Sequence, residues 1–150
     1  MRVATIGARM AEHLRSSSLV TAGLVHAHYP APGIVTEGPA AVIFAGSGSA
    51  APWQEQIWHH EFRVQLMKPS LGFPAVELNQ LETLIEPIWD HFAPGTNASR
   101  LIVTGETGFV EHCYPVRYEG SQVIEFPQGS FFAAITLIFD VKTHRFAGDE

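Results

Sequence analysis

Charge is scarce in this 150-residue chain, because Asp, Glu, Lys and Arg make up 16% of it, against about 25% in ordinary soluble domains. Low charge predicts a surface that is neutral or apolar in places, which suits a large permanent interface better than a solitary monomer. The net charge of −6 argues against general nucleic-acid binding, since such binding depends on Lys and Arg contacts with phosphate.

Cysteine and long apolar runs are also lacking. Cys113 is the single cysteine, so a disulfide within the chain is excluded and a reducing compartment is expected. No run of eighteen apolar residues occurs, so the sequence predicts no membrane span. The first fifteen residues do not form a signal-peptide pattern, because Arg9, Glu12 and His13 interrupt the apolar residues.

Motifs for catalysis are missing as well. Gly46-Ser47-Gly48 is too short a fragment of the dinucleotide-binding fingerprint, and no Walker lysine follows it. His112 and Cys113 are adjacent, which places the two side chains on opposite faces of a strand and not together as a nucleophile and its base. The sequence therefore predicts no catalytic residue and no cofactor, and we expect the protein not to be an enzyme.

Histidine is the one chemically versatile residue that is abundant, with eight copies. His26 and His28 would point the same way on a strand, whereas the adjacent His59 and His60 would point in opposite directions. A metal site needs three or four converging ligands, and no Asp or Glu accompanies the first pair at a suggestive spacing. No metal site is predicted, and a small metal-dependent enzyme that uses the histidines is kept as an alternative.

Apolar periodicity predicts an α+β fold, with a mainly antiparallel sheet packed against two helices. The helices are expected at about 2–16 and 74–92, the second with Pro87 inside it. The chain is expected to be a single domain over 1–150, with a polar tail at about 143–150. Strands are predicted at 40–44, 58–68, 101–104, 109–116, 123–126 and 131–141, with a flexible Gly/Ser link at 46–50 and turns at Glu119-Gly120 and Gln128-Gly129.

The two longest strands differ in character. In residues 58–68, Trp58, Phe62 and Leu66 fall on one side and polar residues on the other, which is typical of a half-buried strand. Residues 131–141 are apolar on both sides, so both faces of that strand need a cover. We expect a chain of this length to supply one cover only, so that the second face meets another subunit.

The order of these elements resembles the tail-terminator, or tail-completion, proteins of long-tailed bacteriophages. An N-terminal amphipathic helix and a loop lead to a proline-led strand, a Gly/Ser-rich segment and an alternating strand that begins near a Trp. A helix with Leu and Ile stripes and a β-rich half with an apolar last strand complete the pattern. The matching segments are PAAVIFAG, WHHEFRVQLM, LNQLETLIEPIWDHF and FFAAITLIFDV.

The resemblance implies a structural virion protein without catalytic residues. It would form a homohexameric ring that terminates the tail tube, at the end nearest the head, and joins it to the head–neck complex. Its partners would be further copies of itself, the tail-tube protein and a neck or head-closure protein, while DNA passes through the channel without specific binding. It would be made in the host cytoplasm and have no membrane partner.

The resemblance carries over no binding residue, so the candidate partner contacts come from the sequence itself. Trp53 is an isolated aromatic residue in a Gln/Glu setting and could anchor a partner. We expect the loop 46–52 or the hairpin 104–108 to become ordered when the protein binds the tube. The candidate contacts are Trp53, Gly46, Gly48, Glu106 and Phe131.

Three other functions are kept as alternatives: a head-closure or stopper protein, a tail-tube subunit, and a dimeric module that binds a small ligand.

Overall fold

The computed structural model describes residues 3–27, 38–51, 54–70, 74–93, 108–125 and 131–145. The described elements are α1 (Val3–Ser16), a 3-10 turn (Ala22–Leu24), β1 (Val25–His26), β2 (Ala40–Ala51), β3 (Gln54–Pro69), α2 (Pro74–His91), β4 (Gly108–Glu125) and β5 (Phe131–Arg145). The fold is α+β, as predicted, and both helices lie where the apolar periodicity indicates them.

The five strands form one sheet in the order β1-β2-β3-β5-β4. β1 pairs with β2 in parallel over two residues, and the other three pairings are antiparallel. The long pairing of β3 with β5 runs without a register shift from Ile57 to Pro69. Among the described strands, β4 is therefore at one edge, and β5 lies in the interior of the sheet between β3 and β4.

Both helices pack on one face of the sheet, because each carries an apolar stripe at helical spacing. Ile6, Met10 and Leu14 of α1 are all fully buried. They join Leu81, Ile88 and Phe92, from α2 and the residue after it, in one cluster with the inward-facing residues of the sheet. The predicted alternation of β3 is confirmed here, since Phe62, Val64 and Leu66 lie in this cluster.

The second face of β5 does not need another subunit, so that expectation is wrong. All residues from Phe132 to Phe139 are at most 4% exposed in the single chain. At one end of the second face, Phe132 and Ala134 join a smaller apolar cluster with Met67. Further along, Ile138 is in register with Arg63 on one side and with Arg117 on the other.

The two arginines explain how that second face is closed. Arg63 and Arg117 both contact Glu61, at 3.2 and 3.5 Å, and both contact Glu119, at 4.0 and 3.7 Å. The long side chains from β3 and β4 thus meet across β5, and their aliphatic stems can cover Ile138 while the charged ends stay at the surface.

The Gly/Ser segment at 46–50 is strand and not a flexible link. Gly48 pairs with His60, and an irregularity in register lies between Ala45 and Gly48. A Cβ at position 46 would meet Oε2 of Glu61, the end of a flexible side chain that would have to move. The small residues lie at an irregularity of the ladder, where glycine is common in strands.

Two predicted ends of strands are also wrong. The turn expected at Glu119-Gly120 is an irregularity inside β4, which runs on to Glu125. The polar tail expected from residue 143 begins later, because β5 continues to Arg145. Thr143 is 1% exposed, and its hydroxyl lies 3.2 Å from Nε2 of the buried His60. A polar pair inside the sheet thus extends the strand beyond its last apolar run.

The strand predicted at 101–104 and the turn predicted at Gln128-Gly129 lie outside the described residues.

Candidate functional site: the open edge of the sheet

The outer edge of β4 is the most distinctive surface of the molecule. Within the described ranges, no strand pairs with this edge along its 18 residues. An unpaired edge presents backbone donors and acceptors to any strand that can reach them. Native proteins usually protect such an edge with charge, proline or a cover, so a long open edge is a candidate site for pairing with another chain.

Exposed apolar residues gather at the same edge. Among the described residues, five large hydrophobic side chains are exposed, and Val116, Tyr118 and Val123 of these lie on β4. Their exposed fractions are 49%, 56% and 56%. Phe131, at 47%, is in register with Glu125 at the end of β4. Three of the five thus lie on β4 and a fourth at the adjoining start of β5, a clustering expected of an interface and not of scattered surface residues.

A groove of about 750 Å³ separates this edge from α2. Ile85 and Trp89 line it from the helix, and Val116 and Tyr118 line it from the strand. Glu86 and Asp90 add negative charge on the helix side, and Arg117 adds positive charge on the strand side. Large aromatic side chains beside a concave apolar surface are typical of the centre of a protein–protein interface.

The opposite edge of the sheet is also open in part. β1 pairs only with Ala41 and Val42 of β2, so the outer edge of residues 43–51 has no partner strand in the described parts of the chain. Gly46 and Gly48, two of the predicted partner contacts, lie on this stretch and are exposed. As far as the described strands go, the sheet thus has two open edges, one formed by β2 and one by β4.

The other predicted contacts have mixed outcomes. Phe131 is half exposed at the start of β5, whereas Trp53 and Glu106 lie outside the described residues. Residues 48–51 are already paired with β3, so this segment does not need the tube in order to become ordered. The predicted hairpin at 104–108 lies outside the described residues apart from its last residue, Gly108. The sequence analysis did not single out Val116, Tyr118 and Val123, because the turn predicted at Glu119-Gly120 divided β4 into two shorter strands.

Nucleophilic chemistry gains no support from the positions of the candidate residues. Burial raises the pKa of the Cys113 thiol far above its ordinary value, so the reactive thiolate is disfavoured. His112 lies on the other face of β4, as the adjacency predicted, and contacts Asp140. Ser47 and Ser49 are exposed in β2, and neither stands in a strand–elbow–helix arrangement.

Four of the eight histidines fall into two pairs that the sequence did not predict. His13 and His91 stack with ring centroids 4.0 Å apart, and Nε2 of each donates to the backbone carbonyl of the other at 2.8 Å. These bonds join the last turns of α1 and α2, where helical carbonyls lack partners in their own helix. On the outer face of the sheet, His59, His112 and Asp140 converge. His28, of the pair favoured from sequence, lies outside the described residues.

His13 and His60 lie in environments that disfavour the charged imidazolium form. Burial lowers the pKa of His13 below its ordinary value, and the neighbouring His91 lowers it further, although the hydrogen bond to the His91 carbonyl acts in the opposite direction. Burial likewise lowers the pKa of His60, with a smaller contribution from His59. Both rings are therefore neutral in the folded protein over a pH range in which the unfolded chain binds protons.

This difference predicts a loss of stability on acidification. Because both pKa values are lowered on folding, the unfolded chain binds more protons once the pH falls below about 6.5. The free energy of unfolding should be greatest above that pH and should decrease as the pH falls towards the folded pKa values. Urea denaturation at pH 7.5 and pH 5.5 measures it, and the double variant His13→Gln, His60→Gln should depend less steeply on pH. An equal slope in both proteins would contradict the assignment.

A comparison with models of known protein families and with curated protein sequences finds no match to this chain. None of the helices in the described ranges is long and apolar enough to be a membrane-spanning candidate.

Proposed function

We propose that the chain is a structural, non-catalytic protein of a bacteriophage virion, which forms a ring that terminates the tail tube and joins it to the head–neck complex. The family-level part of the proposal rests on the element order of helix, two strands, helix and two strands, to which the structure adds the short strand β1. The observation that carries the ring is the open, apolar edge of β4, since it supplies a surface for a further copy.

The direction of the strands favours contact between unlike edges. β2 is antiparallel to β3, β3 to β5 and β5 to β4, so β2 and β4 run in opposite directions at the two sides of the sheet. Residues 43–51 of one copy could therefore pair with β4 of the next and continue the antiparallel sheet. A contact between two different surfaces of the same chain generates a closed ring when its rotation closes.

The remaining parts of the proposal follow from the resemblance. It implies six copies, a tail-tube protein and a neck or head-closure protein as neighbours, and a position in the virion at the tail end nearest the head. A net charge of −6 suits a ring through which DNA passes without specific binding, because an acidic protein has little attraction for phosphate. The buried second face of β5 contributes nothing to this assembly.

Electron microscopy of growing tail tubes tests the proposed function. The purified chain is added to its cognate tail-tube protein during polymerisation, and tube length and tube ends are compared with a reaction that lacks it. We expect shorter tubes with a ring-shaped density on one end. Tubes of unchanged length without end density would contradict tail termination, even if the chain forms rings on its own.

A further inference from the structure

Three metal-ligating side chains from three adjacent strands converge on the sheet face opposite the helices. They are His59 of β3, His112 of β4 and Asp140 of β5, and one donor atom from each lies within 4.8 Å of the other two. Nδ1 of His59 is 3.5 Å from Oδ1 of Asp140, and Nε2 of His112 is 2.6 Å from Oδ2. The proposed ring does not use this cluster.

The register of the strands produces the convergence. His59 and His112 both pair with Lys142 of the central strand, one from each side. Asp140 lies two residues before Lys142, so its side chain points to the same face and lies diagonally from both imidazoles. In the pairing of β4 with β5, Val110 pairs with Thr143 and His112 with Lys142, so the ladder is irregular at Glu111. Such an irregularity commonly redirects side chains beside a functional site.

Glu111 pairs with the basic side chains that lie beside the cluster. Its carboxylate lies 2.8 Å from Nζ of Lys142 and 2.9 Å from Nε2 of His144. Lys142 is thus compensated by a partner outside the His59, His112 and Asp140 cluster.

The ring of His112 has a neighbour on its face and a carboxylate near its second nitrogen. It stacks on Tyr114 with centroids 4.4 Å apart, and its second nitrogen, Nδ1, faces Oε2 of Glu111 at 3.7 Å. Histidines that bind metals usually direct their other ring nitrogen to a carboxylate or a carbonyl, which fixes the tautomer and the ring plane. Nε2 of His112 faces Asp140 at 2.6 Å and is the nitrogen available to the ion.

We propose that His59, His112 and Asp140 form a binding site for a zinc ion, with water in the remaining coordination position. Two imidazoles and one carboxylate suit zinc better than magnesium or calcium, which prefer oxygen ligands. Ligands of a tetrahedral zinc ion lie about 3.3 Å apart, close to the 3.5 Å between His59 and Asp140. The ion replaces the proton between His112 and Asp140, and that pair opens from its present 2.6 Å.

Calorimetric titration of the whole chain with zinc chloride tests the site. The protein is first treated with a chelator, which is then removed, and binding is measured at pH 7.5. We expect one ion per chain, with affinity lowered at least tenfold in each of the variants His59→Gln, His112→Gln and Asp140→Asn, because each removes a ligand. The matched control is His144→Gln, which removes an imidazole from the same face and should change the affinity less than twofold.

Two further readouts separate a specific site from loose association with surface histidines. Zinc should raise the melting temperature of the wild type and of His144→Gln but not of Asp140→Asn, because a ligand that binds only the folded state stabilises it. Cobalt substituted for zinc should give the visible absorption of a four-coordinate ion, and this should disappear in His112→Gln. Absence of saturable zinc binding, or an equal loss of affinity in His144→Gln, would overturn the proposal.

Discussion

Phe139→Ala should lower the free energy of unfolding by about 3–5 kcal/mol, the range for truncation of a fully buried phenylalanine. Phe139 is 0% exposed and lies on the interior strand β5, in register with Phe62 on β3. Its ring meets that of Phe92 edge to face, with centroids 4.8 Å apart. Truncation therefore removes apolar contacts and leaves a cavity where the strands β3 and β5 meet the end of α2.

The same strand supplies a matched control for this substitution. Phe131→Ala also removes a phenyl ring from β5, but that side chain is 47% exposed, so we expect a loss of about 1 kcal/mol or less. Urea denaturation of both variants at one low protein concentration measures the difference. Equal losses, or a loss below about 1 kcal/mol for Phe139→Ala, would show that β5 is not the centre of the core.

The double variant Val116→Lys, Tyr118→Lys should weaken self-association by at least about 100-fold, since central apolar contacts of interfaces contribute about 2 kcal/mol or more each. Both side chains are about half exposed and line the groove beside α2. Lysine at an edge strand opposes the addition of another strand, because its charge would have to be buried. The variant should nevertheless fold, as neither position lies in the core.

A control variant with a lysine outside the edge distinguishes a specific effect at the edge of β4 from a general effect of added charge on association. Val76→Lys changes an exposed valine, at 61%, near the start of α2 and away from the groove. We expect sedimentation equilibrium to give an unchanged association constant for this control and a much lower one for the double variant. All three proteins should have free energies of unfolding within about 1 kcal/mol of one another. Equal association by the control and the double variant would exclude the edge of β4 as the interface.

Much of the fold could be predicted because its signals are local. The helical spacing of Ile6, Met10 and Leu14 and the alternation around Phe62 each follow from the periodicity of a single element. The ends of β4 and β5 could not be predicted in this way. Gly120 interrupts β4 only as an irregularity, and Thr143 is held in β5 by a hydrogen bond to His60 on a neighbouring strand. Such contacts depend on the register of the sheet and not on the residue's own propensity.

The two candidate sites were missed for the same physical reason. His59 and Asp140 are far apart in sequence and meet only because β3 and β5 are neighbours in one register. The open edge of β4 likewise depends on strand order, which places β5 and not β4 beside β3. The sequence did correctly place His59 and His60 on opposite faces of β3, because that statement concerns one strand alone.

Composition gave a wrong expectation about the second face of β5. An apolar strand in a chain with little charge suggested a face left for another subunit. Arg63 instead reaches across the strand to Glu119 and Arg117 to Glu61, which covers that face near Ile138, and an apolar cluster with Met67 buries its other end. The apolar surface that remains for an interface is on β4, which the sequence divided into shorter strands.

The molar mass of the wild-type chain in solution, measured by light scattering over a series of concentrations, tests the proposed ring most directly. The account predicts a discrete species of six times the 16.4 kDa chain mass, which dissociates in the Val116→Lys, Tyr118→Lys variant. A mass of one chain at every concentration up to the solubility limit would contradict assembly through the open edge.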